Sequence, residues 1–165
     1  MTFKEKIQED LKKSLKERKE IEVSTLRMLN SAIFNREKEK RYKLAQEKPD
    51  FKEKDLEKKS QLTDEELIQV IFSEVKKRKE AIEGFEKGER MDLVEKEKKE
   101  MEILKKYLPE QFSEAEIKKM VKEVIKEVRA ESLKDLGKVM GKLMPKLKGK
   151  AEGSLVNKIV KELLV

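Results

Sequence analysis

The sequence predicts an all-α protein: a helical N-terminal part of about four helices, residues 1–110, followed by a small three-helix domain, residues 111–165. Three observations lead there. Leucine, isoleucine, valine and methionine recur with helical spacing through most of the chain, no stretch keeps the period of two that a strand needs, and the helical runs are punctuated by caps, glycine and proline. Only 36% of the residues are hydrophobic and 47% are charged, so any core is narrow and built from stripes on helices.

The first helix is expected from Thr2 as N-cap to about Lys19, with Phe3, Ile7, Leu11 and Leu15 as one apolar stripe. A second begins near Ile21, turns Val23, Leu26, Leu29, Ile33 and Phe34 inward, and must stop before Pro49. Residues 49–61, PDFKEKDLEKKSQ, have little apolar periodicity and are expected to form a mobile connection. Thr63 and Glu66 form a capping box that opens the third helix. Its core face runs from Leu67 to Phe85, and glycines end it around Gly84–Gly88. The fourth spans about Met91 to Tyr107 and is closed by Pro109.

Ser113 and Glu116 then form another capping box, and Ile117, Met120, Val121, Val124 and Val128 mark the fifth helix. Ser132 is the expected N-cap of the sixth, with Asp135 near its positive end. That helix should finish by Met144, before or at Pro145, leaving residues 145–152 as a loop. Ser154 starts the seventh, whose apolar positions are Leu155, Val156, Ile159, Val160 and Leu163.

Composition narrows the chemistry. With no cysteine and no histidine, there is no thiolate nucleophile, no imidazole base and no common zinc site. No catalytic residue, metal ligand or cofactor site is assigned. The start of the chain lacks the apolar segment of a signal peptide and no apolar run approaches a membrane span, so no membrane partner and a cytoplasmic location are expected.

Charge is unevenly distributed. Of the net +7, residues 133–165 carry +5, from eight lysines against Asp135, Glu152 and Glu162. The remaining +2 comes from 34 basic and 32 acidic side chains in residues 1–132. A localised excess of this kind suits a polyanion, whereas the mixed-charge body serves solubility. Lys134, Lys138 and Lys142 recur every four residues on one helical face, and Lys146, Lys148 and Lys150 carry the run toward the start of the last helix. There, free N–H groups favour an anion. A solvated face is the alternative for such a run.

Four of the six glycines fall in the same segment. Gly137 and Gly141 lie one turn apart, and each costs about 1 kcal/mol of helix propensity relative to alanine. Close packing of another helix is one compensation; close approach of a ligand backbone, such as a nucleic-acid phosphate, is the other. Gly149 is expected to take a positive φ in the turn.

The runs TLRMLNSAI, KKRKEAIEGFEKGERMDLVEKE, LKKYLPEQFSEAEI and, above all, GKVMGKLMPKLKGKAEGSLVNKIV resemble the GatB/YqeY domain family, close to its stand-alone YqeY-like members. The resemblance spans nearly the whole chain. It implies an all-helical fold with a C-terminal three-helix domain related to the tail of the B subunit of glutamyl/aspartyl-tRNA amidotransferase, which helps hold the tRNA. By that likeness Lys138, Lys142, Lys146, Lys148, Lys150 and Asn157 face tRNA or another structured RNA, and Gly137 and Gly141 shape the surface. It also implies partnership with an aminoacyl-tRNA enzyme or with amidotransferase subunits.

The stand-alone proteins carry the inherited label of carbon–nitrogen ligases with glutamine as amide donor. This chain, however, has no cysteine nucleophile, no glycine- and serine-rich amidase segment and no P-loop. Three expectations follow: an RNA-binding module accessory to aminoacyl-tRNA metabolism and not catalytic alone, a protein-interaction adaptor, or an accessory subunit of a glutamine-dependent tRNA amidotransferase.

Overall fold

The computed structural model describes residues 1–165 and contains eight α-helices and no strand. The chain separates into two compact units, Met1–Tyr107 and Leu108–Val165. No helix is long and apolar enough to cross a membrane.

The first unit holds α1 (Phe3–Lys16), α2 (Glu20–Glu47), α3 (Glu53–Lys59), α4 (Asp64–Lys87) and α5 (Met91–Lys105). Thr2 and Thr63 cap α1 and α4 through complete capping boxes with Glu5 and Glu66, each satisfying two backbone donors that the first turn leaves free. Its core is built from Ile7, Leu26, Leu29, Ile33, Leu67, Ile71, Val94 and Leu104, all at most 1% exposed.

Among these apolar side chains lies a buried ionic cluster. Arg78 of α4, 4% exposed, reaches Glu74 at 3.1 Å and Glu100 of α5 at 3.1 Å. A further guanidinium N–H donates to the Glu74 carbonyl. With the Nε–H donating to Glu100 at 3.2 Å and a terminal N–H facing the Met28 sulfur at 3.9 Å, each guanidinium nitrogen has a partner, which is the condition under which burying such charges is tolerable. Burial, and then repulsion from Glu100, push the neighbouring Glu97 carboxyl above its usual range.

Several expectations are corrected here. Phe34 is 62% exposed rather than inward: it follows Ile33 by one residue, about 100° around the helix, and leaves the stripe set by Leu26, Leu29 and Ile33. Leu15 is 45% exposed. A four-residue spacing drifts about 40° per step, so by the fourth member the core position belongs to Ser14, which is buried and donates to Glu22 at 2.9 Å. Residues 49–61 are not simply a connection, because α3 forms within them. Its acids Glu53 and Asp55 stand in the first turn and Lys58 and Lys59 in the last, matching the helix dipole. The Lys59 ammonium sits 4.2 Å from the centre of the Phe51 ring. The end of α4 at Lys87, with Gly88 as its C-cap, falls within the Gly84–Gly88 stretch expected to close it.

The second unit holds α6 (Glu114–Val128), a short 3-10 turn (Leu133–Asp135), α7 (Leu136–Leu147) and α8 (Gly153–Leu163). Ser113 with Glu116, and Ser132 with Asp135, form complete capping boxes. Ile117, Val121, Val139, Leu143, Leu147, Val156 and Val160 are fully buried in one cluster. Contrary to expectation, α7 passes through Pro145 to Leu147. Proline in a last turn removes a single ladder bond, and the carbonyl its ring crowds belongs to Gly141, whose backbone is the least restrained. Burying Leu147 completely returns about 2 kcal/mol.

Replacing Arg78 with alanine strands the buried Glu100 carboxylate and leaves Glu74 with Lys77 alone, and is expected to cost about 3–5 kcal/mol in urea unfolding. Replacing the exposed Lys77, which also pairs with Glu74, should cost less than about 1 kcal/mol.

Candidate nucleic-acid interface

The candidate site is organised by α7 and the turn that follows it. Residues 136–151 read LGKV-MGKL-MPKL-KGKA, a four-residue pattern repeated four times. On a helix a four-residue repeat draws inclined rows, each row pointing one way. Val139, Leu143 and Leu147 form the inner row and are fully buried. Lys138, Lys142 and Lys146 form an exposed row. Gly137, Gly141 and Pro145 form a second exposed row beside it, on the side of the helix roughly opposite the buried one. The third lysine of the row is Lys146, because the helix continues past Pro145; Lys134 lies instead in the preceding 3-10 turn.

The glycines are not explained by packing. A Cβ added at Gly137 or at Gly141 would meet nothing within 4 Å. Close contact with another helix of this unit, the first of the two compensations considered, is thereby overturned, and a strip of helix backbone is left open on the outer face.

Two lysines of the exposed row have acidic neighbours. Lys142 forms an ion pair with Glu127 of α6, and Lys138 lies 3.9 Å from Asp135. The hydrogen bond from Lys142, with weaker attraction from Lys146, holds the Glu127 carboxyl below its usual range. Asp135 is lowered chiefly by the N–H groups of Glu131 and Ser132. These two acids are therefore charged throughout the neutral range.

The turn after α7 carries Lys148 and Lys150, both exposed. Gly149 occupies φ 76°, as expected, and is buried. Its carbonyl accepts from the Gln111 amide at 2.9 Å, and the Lys150 carbonyl accepts from the Phe112 N–H at 2.9 Å. The Lys150 ammonium lies 5.8 Å from the Phe112 ring centre. The turn is thus tied to the segment that leads into α6. Helix α8 then starts at Gly153 without a side-chain cap and without an acid in its first turn. Asn157 stands in the second turn of α8, partly exposed.

Of the residues singled out from sequence, Gly137, Lys138, Gly141, Lys142 and Lys146 stand on successive turns of one helix. Lys148 and Lys150 follow in the turn, and Asn157 belongs to a different helix. Glu127, Phe112 and Gln111 were missed. Glu127 and Lys142 stand on two different helices, so no spacing within one element marks the pair. The tandem repeat itself was the overlooked signal for the three rows.

A family model described as Yqey-like protein matches residues 48–164. An uncharacterized protein of Schizosaccharomyces pombe is 47% identical over 51 residues, 31% of this chain and 42% of that protein. A Lachancea thermotolerans protein, altered inheritance of mitochondria protein 41, mitochondrial, is 36% identical over 114 residues, 67% of this chain and 51% of that protein. The matches thus span about half, or less, of the length of these relatives.

Since nothing fills the space beside the glycines, Gly137→Ala and Gly141→Ala should each raise stability by up to about 1 kcal/mol. Thermal unfolding followed by circular dichroism measures this, and a loss of stability would point to contacts the structure does not contain.

Proposed function

The chain belongs to the YqeY-like protein family, and from that premise we propose that it is a structured-RNA-binding module whose ligand is tRNA. In this reading it is accessory to aminoacyl-tRNA metabolism and performs no catalysis alone. The observation that carries it is the adjacency on α7 of an exposed lysine row, Lys138, Lys142 and Lys146, and an exposed row without side-chain bulk, Gly137, Gly141 and Pro145.

The chemistry is that of phosphate neutralisation. Ammonium groups on successive turns meet phosphates along a strand and release the counterions condensed there. The open strip beside them lets a sugar–phosphate backbone approach the helix more closely than a row of side chains would. Lys148, Lys150 and the uncapped start of α8 offer further donors. None of these groups reads a base edge, so selectivity rests on RNA shape and on the 2′-hydroxyls. Such a module fits the cytoplasm expected from the sequence. It equally fits the mitochondrion named in the Lachancea relative. Service as an RNA-holding subunit of a carbon–nitrogen ligase would use the same surface.

A second reading, the protein-interaction adaptor, draws on α2. Met28, Phe34 and Tyr42 are 51%, 62% and 67% exposed there, large side chains that a partner's surface would cover.

Filter binding with unfractionated tRNA tests the proposal. Five engaged lysines predict that log K falls with log salt with a slope of about −4. The triple change Lys146→Glu, Lys148→Glu and Lys150→Glu should weaken binding by at least about tenfold. Affinity unchanged by the triple change removes the RNA reading and leaves the adaptor.

A further inference from the structure

The exposed lysine row has one close acid facing it from a different helix. Glu127 stands on α6 near the end of that helix, and its carboxylate accepts a hydrogen bond from the Lys142 ammonium. Both side chains are about half exposed, at 50% and 42%. A pair so open to water contributes little to stability. Stability therefore gives no strong reason to put a carboxylate there, against the middle lysine of the row. Its charge is also felt from Lys146, the next lysine of the row, which has no carboxylate within ion-pair distance.

We propose that Glu127 is a built-in competitor for the polyanion: its carboxylate occupies the Lys142 ammonium in the free protein and must be displaced when a phosphate takes its place. This inference rests on the reading of α7 as an RNA-binding face and deepens it, by naming the residue that sets how tightly that face holds its ligand. Displacement costs one charge-assisted hydrogen bond. A lone anion gains too little at one lysine to meet that cost. A strand presenting several phosphates at once engages Lys138 and Lys146 in the same event, so the loss is shared over the row. Glu127 thus raises the threshold for weak, isolated anions and leaves extended phosphate backbones able to bind.

The mechanism assigns different consequences to two charge-equivalent changes. Glu127→Gln removes the competitor and one negative charge. Glu162→Gln removes one negative charge from an exposed position on α8, a different helix from the two that carry the Glu127–Lys142 pair. Long-range attraction alone would make the two variants alike, whereas displacement makes them differ.

The experiment measures the affinity of full-length protein for unfractionated tRNA across a salt series, for wild type, Glu127→Gln, Glu162→Gln and the triple Lys146→Glu, Lys148→Glu, Lys150→Glu variant. Thermal unfolding of each checks that it is folded. Glu127→Gln is expected to bind about two- to fivefold more tightly, with a salt slope steeper by about one phosphate contact, while Glu162→Gln stays close to wild type. Equal tightening by the two glutamine variants, or no tightening by Glu127→Gln, overturns the competitor while the triple variant still shows lysine-dependent binding. A triple variant that binds as wild type defeats the RNA reading itself, and the competitor with it.

Discussion

Burial of Val139, Leu143 and Leu147 on one side of α7 decides where every other residue of that helix points. The three side chains are fully buried in the second unit, each worth about 2 kcal/mol of apolar transfer, so the helix cannot rotate without losing most of its attachment. A four-residue repeat then leaves no freedom: with the V/L/L row inside, the lysine row and the glycine–proline row must face solvent. The same constraint accounts for the costs that the segment carries. Two glycines and a proline weaken α7 as an isolated helix, by an amount comparable with what burying its apolar row returns. The helix persists because its partners α6 and α8 hold it, not because its composition favours it.

The first unit obeys a related constraint at higher charge density. With so few apolar residues available, α4 and α5 bury a guanidinium together with two carboxylates, and a partner for each guanidinium nitrogen of Arg78 makes the arrangement tolerable. Elsewhere in this unit charge remains outside. Lys4 bonds Glu37 and Lys40 bonds Glu66 at the joins between α1, α2 and α4.

Much of this was legible in the residues. The all-α class, the N-caps at Thr2, Thr63 and Ser113 and the positive φ of Gly149 are local properties, and local spacing reveals them; Ser132 caps the 3-10 turn that leads into α7 and not α7 itself. The membership that LKKYLPEQF and GKVMGKLMPKLKGKAEGS suggested is that of the YqeY-like family. What escaped was set by geometry beyond neighbouring residues. Leu15 and Phe34 left their stripes because helical drift accumulates over three or four steps. The helix α3 was hidden since its signal is the placement of Glu53, Asp55, Lys58 and Lys59 relative to a dipole, not an apolar period. Helix α7 outlasts Pro145 because Leu147 is needed in a core assembled from distant segments. The open space at Gly137 and Gly141 depends on where α6 and α8 run, and the Glu127–Lys142 pair joins residues on two helices. Neither could be read from spacing within one element.

In the proposed function RNA meets the chain along the outer face of α7 and the turn after it. Backbone amide chemical shifts of the full-length protein, followed by NMR during titration with unfractionated tRNA at low salt, test it most directly. Shifts or broadening should concentrate at Gly137, Lys138, Gly141, Lys142 and Lys146 and continue through residues 148–154. Perturbations confined to α2 and α4 in the first unit, with α7 silent, would contradict it.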